Sequence, residues 1–309
     1  MQIESEKSYI SALKIQKEKS EVGIIDDLRV KDINNKFFDL VEKKFPWGKR
    51  NIFLLKEGQE ENYKALQQSR SLAGGSSEIN IEKAKENVIE QINKLENDDS
   101  IRFDELSAAF RILFHDAKYH PKSMCELGYR APKILEYYKQ KGWKVAGYDV
   151  VEMNNFLARE LGYDARLYDF NSCDEDLDLS GIDLVVSYHM LEHVSNPFKA
   201  MKKVYESMEE GAFFHVEVPI EGPLPNIRYG HLYPFHVYDL EKMLLECGFH
   251  VCTFSDMTAQ NAASARRVLA QKRSNSKPLE DVIGSSVRIT VPDVVDFFAV
   301  LDRSRKVNI

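Results

Sequence analysis

Hydrophobic and polar positions follow two kinds of pattern in the middle of the chain, between about residues 101 and 273. Short continuous apolar runs, typical of buried strands, alternate with longer segments whose apolar residues recur at helical spacing. The predicted strands are Ser123–Leu127, Lys144–Tyr148, Ala165–Tyr168, Ile182–Tyr188, Ala212–Val218, Phe249–Phe254 and Arg266–Gln271. This pattern predicts an α/β fold with a Rossmann-like sheet of seven strands, mostly parallel and with the last strand antiparallel.

The helices predicted between these strands cover both faces of the sheet. They are Phe103–Phe114, Ile134–Lys141, Met153–Leu161, Pro197–Met208 and Val237–Cys247. In parallel sheets of this kind, ligands bind beyond the carboxyl ends of the strands, near the point where the strand order reverses. Residues at the strand ends are therefore the first candidates for a functional site.

Residues 1–100 are predicted to form a mainly helical N-terminal extension. Asn34–Lys44 has apolar residues at helical spacing, and Pro46 ends this predicted helix. Asn51–Leu55 is a short apolar run that fits a strand or part of a helix, whereas Ile81–Leu95 fits an amphipathic helix. We expect the extension to act as a lid, a specificity element or an oligomer contact.

Residues 274–309 are predicted to form a linker followed by a helix at Pro292–Leu301, since proline suits the first turn of a helix. The apolar face of this helix would pack on the main domain, residues 101–273, or on a second subunit. A homodimer through the N- or C-terminal helices is therefore one expected form of the protein.

The composition limits the partners of the protein. Hydrophobic residues make up 43% of the chain and charged residues 29%, which is typical of a globular protein. The net charge of −7 argues against a nucleic-acid partner, and no apolar run is long enough to suggest a membrane partner. The four cysteines have no paired spacing and the N-terminus lacks signal-peptide features, which favours reduced thiols and a cytoplasmic location.

Acidic residues come at or near the ends of three successive predicted strands: Glu126, Asp149 and Asp169. Gly128 turns the chain after the first of these strands, so the backbone there can approach a ligand closely. A carboxylate about twenty residues after such a turn is the usual group that binds ribose hydroxyls. Aspartates also favour turns, but three acidic residues at one edge of the sheet together predict a ligand site.

The segment Ile182–Met201 (IDLVVSYHMLEHVSNPFKAM) resembles the fourth-strand motif of class I methyltransferases that use S-adenosylmethionine (SAM). The resemblance covers about residues 120–272 and is closest to the ubiquinone-type, sugar and small-molecule O-methyltransferases. It implies SAM as the cofactor. It also implies a set of cofactor contacts: Glu126 and Gly128 on the methionine and ribose side, Asp149 on the ribose, Asp169 and Phe170 at the adenine, and His189 and Met190 beside the cofactor.

The glycine turn departs from the family pattern. The family has G-x-G-x-G, whereas this chain has Gly128-Tyr129-Arg130-Ala131-Pro132. Side chains at Arg130 and Pro132 would crowd the cofactor or change the path of the loop. A non-catalytic binding protein on a methyltransferase fold is therefore an alternative.

His189, Glu192 and His193 form an H-x-x-E-H string. Two histidines at i and i+4 of a helix can bind zinc, with the glutamate as a general base, so a zinc hydrolase is an alternative. A divalent metal near this segment, as in some quinone-type methyltransferases, is another. Because the string follows a buried strand in the methyltransferase order, we expect no metal here. We expect His193 to contact the substrate, or with Glu192 to fix the turn.

The loop after the strand Ala212–Val218 is rich in proline, glycine, tyrosine and histidine, and in the family this region faces the methyl acceptor. His231 and His236 are candidate general bases, since imidazole titrates near neutral pH; His236 also fits a cap before the next helix. The candidate substrate contacts are Arg228, Tyr229 and Tyr233, together with His193.

The predicted function is methyl transfer from SAM to a small polar acceptor, most simply a hydroxyl of a sugar or sugar conjugate. A small-metabolite N-methyltransferase fits nearly as well, because an amine acceptor needs less help from a base. An RNA methyltransferase is disfavoured by the net negative charge.

Overall fold

The apolar runs correspond to strands in the computed structural model, which describes residues 37–59, 62, 81–94, 102–103, 106–107, 121–173, 175–221, 230–236, 238–258, 264–273 and 287–290. The strands in this part of the chain are β1 (Phe38–Phe45), β2 (Gly48–Leu55), β3 (Ser123–Leu127), β4 (Lys144–Asp149), β5 (Asp164–Leu167), β6 (Leu184–Tyr188), β7 (Phe213–Ile220), β8 (Phe249–Thr258), β9 (Ser264–Lys272) and β10 (Val287–Thr290). The helices are α1 (Ile81–Asn93), α2 (Lys133–Gln140), α3 (Glu152–Glu160), α4 (Pro197–Ser207) and α5 (Asp239–Cys247).

Strands β3 to β10 form one sheet in the order β10-β8-β9-β7-β6-β3-β4-β5. Strand β9 runs antiparallel to its neighbours β7 and β8, and the other pairs of this sheet are parallel. The predicted seven-stranded, mostly parallel sheet is therefore confirmed over β3 to β9. The edge strand β10 was not predicted, because its four residues (VRIT) carry too short a pattern to separate from a loop.

The central strands are buried because they carry almost no interruption in apolar character. Strands β3 and β6 are buried at every position. The helices bury one face each, as α3 does with Met153, Leu157 and Ala158. A fully buried side chain of the size of Met153 or Leu157 contributes about 1.5–3 kcal/mol by leaving water. The bounds of α1 to α5 differ from the predicted ones by no more than two residues.

The first described segment is a β-hairpin, so the helix predicted over Asn34–Lys44 is wrong. Strands β1 and β2 pair in antiparallel register around a two-residue turn at Pro46 and Trp47. The helical spacing is only a local signal, and it is overridden by pairing with β2 and by packing of Phe45 and Trp47 against the main domain. The strand alternative for Asn51–Leu55 is confirmed.

Two other helix predictions fall largely on residues outside the described ranges. Residues 103, 106 and 107 of the predicted helix Phe103–Phe114 are described, and they are helical. The predicted helix Pro292–Leu301 lies outside the described residues. No helix in the described ranges is long and apolar enough to cross a membrane.

Candidate active site at the carboxyl edge of the sheet

The turn after β3 brings together the segments that follow the two central strands. Gly128 has a φ of +75°, a left-handed conformation that favours glycine. Its N–H donates to the carbonyl of Tyr148 at 2.7 Å. A Cβ atom on Gly128 would lie 2.5 Å from Cγ of Met190. Glycine is therefore needed here for the backbone conformation and for the close approach of the segment after β6.

Arg130 and Pro132 fit the turn although the family pattern has glycines at these positions. Arg130 has a φ of +49°, and its N–H donates to Oδ2 of Asp149 at 2.9 Å. This hydrogen bond offsets a left-handed backbone that costs a non-glycine residue about 1–2 kcal/mol. Pro132 directly precedes α2, and its carbonyl accepts from the N–H of Glu136 at 2.9 Å. The strand–turn–helix unit is therefore intact.

Asp149 ends β4 and is buried. Its carboxylate accepts from the N–H groups of Val151 at 2.7 Å and Arg130 at 2.9 Å, and from Nδ2 of Asn154 at 3.4 Å. Burial raises the pKa of Asp149, and the backbone hydrogen bonds oppose that rise. A carboxylate has about four acceptor sites, so these three bonds leave at least one for a ribose hydroxyl. The group therefore fits the ribose of a nucleoside cofactor.

The other predicted cofactor contacts lie at the same edge of the sheet but in different surroundings. Glu126 is buried within β3, with 5% of its surface exposed. Asp169 is exposed, and its carboxylate accepts from the N–H of Asn171 at 2.9 Å. Phe170 is buried against Tyr168, with ring centroids 4.6 Å apart. The cofactor contacts assigned to these three residues stay predictions.

His189 follows β6 and connects two buried glutamates. Its Nε2 lies 2.7 Å from Glu217 Oε1, and its Nδ1 lies 3.3 Å from Glu192 Oε1. Burial lowers the pKa of His189, but the two carboxylates outweigh this effect and raise it to about 10. His189 therefore carries a positive charge at neutral pH. Its φ of +52° keeps it out of the single 3-10 turn Leu191–His193, so the zinc-binding i, i+4 helix pair is not formed.

Glu217 in β7 is the centre of an ionic network that the sequence analysis missed. Arg102 Nη2 lies 2.5 Å from Oε1, and Arg267 Nε donates to Oε2 at 2.6 Å, in addition to the contact with His189. Burial raises the pKa of Glu217, but these cations hold it well below its ordinary value. The available signal was the charged residue inside the apolar strand FFHVEVPI, since a buried charge requires partners.

A cluster of histidine and glutamate side chains joins the segment after β6 to the loop after β7. His231 Nδ1 lies 2.6 Å from Oε1 of Glu221, and His231 Nε2 lies 4.0 Å from Oε1 of Glu192. His193 Nδ1 lies 3.0 Å from the carbonyl oxygen of Gly230. The rings of His193 and His231 meet edge to face, with centroids 5.0 Å apart. We call Glu192, His193 and His231 the histidine–glutamate cluster.

The remaining predicted acceptor residues are placed differently from His231. Tyr233 is fully buried, and its hydroxyl accepts from Nε1 of Trp47 at 2.8 Å. The backbone N–H of His236 donates to Asp239 Oδ2 at 3.1 Å, so this residue belongs to the start of α5. Arg228 and Tyr229 lie outside the described residues. The structure therefore brings His193 and His231 together, whereas Tyr233 is buried in the core.

The N-terminal hairpin fixes the loop that carries these residues. The N–H of Phe53 donates to the carbonyl of Leu232 at 2.9 Å. Arg50 Nε donates to Asp239 Oδ2 at 2.7 Å, and Trp47 bonds to the buried Tyr233. The β1–β2 hairpin therefore holds the loop of residues 230–236 in place.

Comparisons with known proteins agree with this geometry. A family model described as a methyltransferase domain matches residues 99–254, just over half of the 309-residue chain. A search of curated proteins found no match. Many solved structures are similar in fold.

Three of these structures are a cyclase and two methyltransferases. The cyclase SpnF is 12% identical over 58% of this chain and 82% of its own, with a TM-score of 0.46. A SAM-dependent methyltransferase from Archaeoglobus fulgidus is 17% identical over 55% of this chain and 94% of its own, with a TM-score of 0.42. Phosphoethanolamine N-methyltransferase 2 of Haemonchus contortus, in complex with SAM, is 14% identical over 54% of this chain and 53% of its own, with a TM-score of 0.42.

The family match spans the glycine turn, the acidic strand ends and the segment after β6 that contains Glu192 and His193. The sheet order, with β9 antiparallel beside β7, is that of the predicted methyltransferase fold. The chain therefore belongs to the methyltransferase-domain family, and SAM is its cofactor.

Proposed function

We propose that this methyltransferase acts on a hydroxyl group of a small polar molecule, such as a sugar or sugar conjugate, and that the acceptor binds at the histidine–glutamate cluster. One observation carries the proposal: His231 Nδ1 lies 2.6 Å from Oε1 of Glu221, and its other ring nitrogen is directed toward Glu192. A histidine held by a carboxylate in this way is the arrangement that general-base catalysis uses.

SAM supplies a methyl group on a positively charged sulfur, and the protein has to hold this group in line with the acceptor oxygen. The turn at Gly128 and the carboxylate of Asp149 are the groups proposed to hold the cofactor. His189 and Met190 follow β6 at the same edge and lie between the cofactor contacts and the cluster. The histidine–glutamate cluster, which lies beyond Met190, is therefore proposed to contact the acceptor.

The proposed reaction moves one methyl group and one proton. SAM, when bound, would supply the methyl group, its carbon–sulfur bond breaking as the carbon–oxygen bond forms. Nε2 of His231 would take the hydroxyl proton when no metal occupies the cluster. Glu221 stabilises the resulting imidazolium, because its carboxylate faces Nδ1 of the same ring. A general base of this kind contributes about a hundredfold or more in rate.

His231 is favoured over His236 as the base. Among the described residues, Nε2 of His236 is buried and has no hydrogen-bond partner, so an acceptor hydroxyl has no open path to it. The side chain of His231 is 12% exposed, and its partner Glu221 is 11% exposed. Arg228, Tyr229 and His193 stay proposed contacts for the acceptor, and Tyr233 is proposed to act by supporting the loop.

Binding and turnover measurements test the proposal. Calorimetry with SAM is expected to show one site per chain, and a panel of sugars and sugar nucleotides is expected to include a methylated product. His231→Gln should lower kcat about a hundredfold or more while leaving the Kd for SAM unchanged. His250→Gln is the matched control, because His250 lies at the start of β8, the opposite edge of the sheet.

Three outcomes contradict the proposal in different ways. Failure to bind millimolar SAM would support the non-catalytic alternative. Methylation of amines with no dependence on His231 would favour N-methyl transfer. An equal loss of turnover in His231→Gln and His250→Gln would show that neither histidine acts as the base.

A further inference from the structure

We propose that Glu192, His193 and His231 bind a divalent transition-metal ion. Each residue offers one ligand atom, and these atoms lie within 4.8 Å of one another. The expectation from the sequence was that this segment binds no metal. The proposed ligand set also differs from the H-x-x-E-H alternative, because it replaces His189 with a histidine from the loop after β7.

The hydrogen bonds of the two histidines orient both rings for metal binding. His193 Nδ1 faces the carbonyl oxygen of Gly230 at 3.0 Å, and His231 Nδ1 faces the Glu221 carboxylate at 2.6 Å. Both partners are acceptors, so Nδ1 carries the hydrogen in each ring and Nε2 carries the lone pair. Metal-binding histidines almost always have this second partner, a backbone carbonyl or a carboxylate.

The glutamate gives independent evidence for a ligand. The side chain of Glu192 is 1% exposed, and within the described part of the chain its Oε2 atom has no hydrogen-bond partner. Its other oxygen, Oε1, is the atom near His189 and His231. A buried carboxylate oxygen without a partner costs free energy, and a metal ion at this place would remove that cost.

His189 does not belong to the ligand set. Its two ring nitrogens lie 3.3 Å from Glu192 and 2.7 Å from Glu217, so both donate a hydrogen to a carboxylate and neither has a lone pair for a metal. Nε2 of His231 lies 4.0 Å from Glu192, which is too far for such a hydrogen bond. The role of His189 is to hold Glu192 in position through the contact between its Nδ1 and Glu192 Oε1. The structure therefore separates the two histidines of the H-x-x-E-H string into one positioning residue and one ligand.

The donor atoms select the kind of ion. Two imidazole nitrogens and one carboxylate suit Zn²⁺, Mn²⁺, Fe²⁺ or Co²⁺, whereas Mg²⁺ and Ca²⁺ prefer oxygen ligands throughout. An ion bonded at about 2.0–2.1 Å would draw the three ligand atoms to about 3–3.5 Å from one another. Small rotations of the side chains would close the present separation. Three protein ligands leave at least one coordination position for water or an acceptor oxygen.

The position of the ion would deepen the proposed function, on which this step of the inference rests. A divalent ion lowers the pKa of an oxygen bound to it. In the metal-loaded protein the lone pair of His231 is on the ion, so the ion rather than His231 would prepare the acceptor hydroxyl. The acceptor class would then be molecules with two neighbouring oxygens, such as vicinal hydroxyls, which can bind one ion together.

Metal binding can be measured on the full chain without SAM or an acceptor. After treatment with EDTA, the wild-type protein is expected to bind one Zn²⁺ or Co²⁺ per chain by calorimetry. The visible spectrum of bound Co²⁺ should indicate nitrogen ligands and low coordination number, and this result needs no variant. A wild-type protein that binds no ion, or Co²⁺ with a purely aqueous spectrum, would overturn the proposal.

Variants locate the site. Glu192→Gln and His231→Gln are expected to weaken Zn²⁺ binding at least a hundredfold, and Glu221→Gln about tenfold through the orientation of His231. His250→Gln is expected to bind as the wild type does. Thermal unfolding first shows whether each variant is folded. If a variant of a proposed ligand does not fold, Glu221→Gln still tests the site, because it changes only the partner of His231. Unchanged affinity in folded Glu192→Gln, His231→Gln or Glu221→Gln would contradict the proposed site.

The two proposals fail in distinguishable ways. If the protein binds one ion at the cluster but methylates no hydroxyl acceptor, the metal site stands and the proposed function is wrong. If hydroxyl methylation is the same before and after EDTA treatment and no ion binds, the function stands and the metal site is wrong.

Discussion

The two halves of the proposed active site, one for the cofactor and one for the acceptor, are built in different ways. The cofactor half consists of the turns after β3 and β4, and its central carboxylate, Asp149, bonds to residues at most 19 positions away. The acceptor half consists of loop 230–236 and the β1–β2 hairpin, and the contact from Trp47 to Tyr233 spans 186 positions. The first half follows from local turn geometry, whereas the second depends on distant segments meeting.

The difference teaches which changes should affect which function. Substitutions in the turns should alter SAM binding, because the hydrogen bonds there are local and shape the proposed cofactor site. Substitutions in the hairpin should alter the acceptor site and leave SAM binding intact. Glu217 and His189 lie between the two halves, so a change at Glu217 should affect both.

Glu217→Gln is expected to have the largest effect. It leaves the buried Arg102 and Arg267 without their shared carboxylate, and breaking a buried pair of this kind costs about 3–5 kcal/mol. Urea unfolding measures the change. Glu42→Gln is the control, since its pair with Lys49 is exposed and should contribute nothing measurable. Equal stability of Glu217→Gln and wild type would show that this network does not join the halves.

The pH dependence of stability checks the same network by a second route. The pKa of Glu217 is lower in the folded state than its ordinary value of 4.5, so its contribution is present above that value. The contribution is lost as the pH falls below 4.5 toward the lowered folded pKa. The free energy of unfolding of the wild type should therefore fall more steeply below pH 4.5 than that of Glu217→Gln.

The second prediction concerns the turn of the cofactor half. Gly128→Ala forces a Cβ atom to within 2.5 Å of Met190, in addition to the strain of a φ of +75°. Gly142→Ala is a matched control, because its φ is +79° but no atom lies within 4 Å of the added Cβ. Gly142→Ala should cost about 1–2 kcal/mol from strain alone. Gly128→Ala should cost about 1–3 kcal/mol more from overpacking.

Calorimetry with SAM completes that comparison. The affinity for SAM should fall in Gly128→Ala and stay at the wild-type value in Gly142→Ala. If both variants lose stability and affinity equally, the contact between Gly128 and Met190 is not what shapes the cofactor half.

Trp47→Phe is expected to have a smaller effect, confined to the acceptor half. It keeps an aromatic ring beside Phe45 but removes the N–H that bonds to Tyr233, which costs about 1 kcal/mol. The KM for the acceptor should rise several-fold while the Kd for SAM is unchanged. A change in SAM affinity instead would show that the hairpin supports the whole site rather than one half.

Arg130→Gly is expected to have the smallest effect. Glycine relieves the left-handed strain at a φ of +49° and keeps the N–H that bonds to Asp149. Stability should therefore rise by up to about 1 kcal/mol, offset in part by the greater freedom of glycine in the unfolded chain. SAM affinity should change less than threefold, on the order of 0.6 kcal/mol. A large loss of affinity would show that the guanidinium of Arg130 takes part in binding.

The sequence predicts those parts of the fold whose signals lie in local patterns of apolar and polar residues. Apolar runs, helical spacing and glycine stops indicated the sheet and the helices α1 to α5, since each of these signals lies within a few residues of the element it predicts. The hairpin was predicted as a helix because the spacing in Asn34–Lys44 is also helical. Its strand form depends on Trp47 meeting Tyr233, which no local pattern records.

The site divides in the same way. Turn chemistry and a family motif mark Gly128, Asp149 and the segment after β6, so the sequence alone proposes them as site residues. Arg102 and Arg267 were missed because they reach Glu217 from distant segments. The pairing of His231 with Glu221 also required the structure, since only the fold of the loop brings those two side chains to 2.6 Å.

The hairpin contacts have a consequence for how the protein is made. A two-stranded hairpin alone is marginally stable in water, and Tyr233 follows Trp47 by 186 positions. At a synthesis rate of about 5–20 residues per second, Tyr233 is added to the chain about 10–40 s after Trp47, so the hairpin lacks this partner for that time. The wall of the acceptor half is therefore completed late, after β3 and β4 have already emerged.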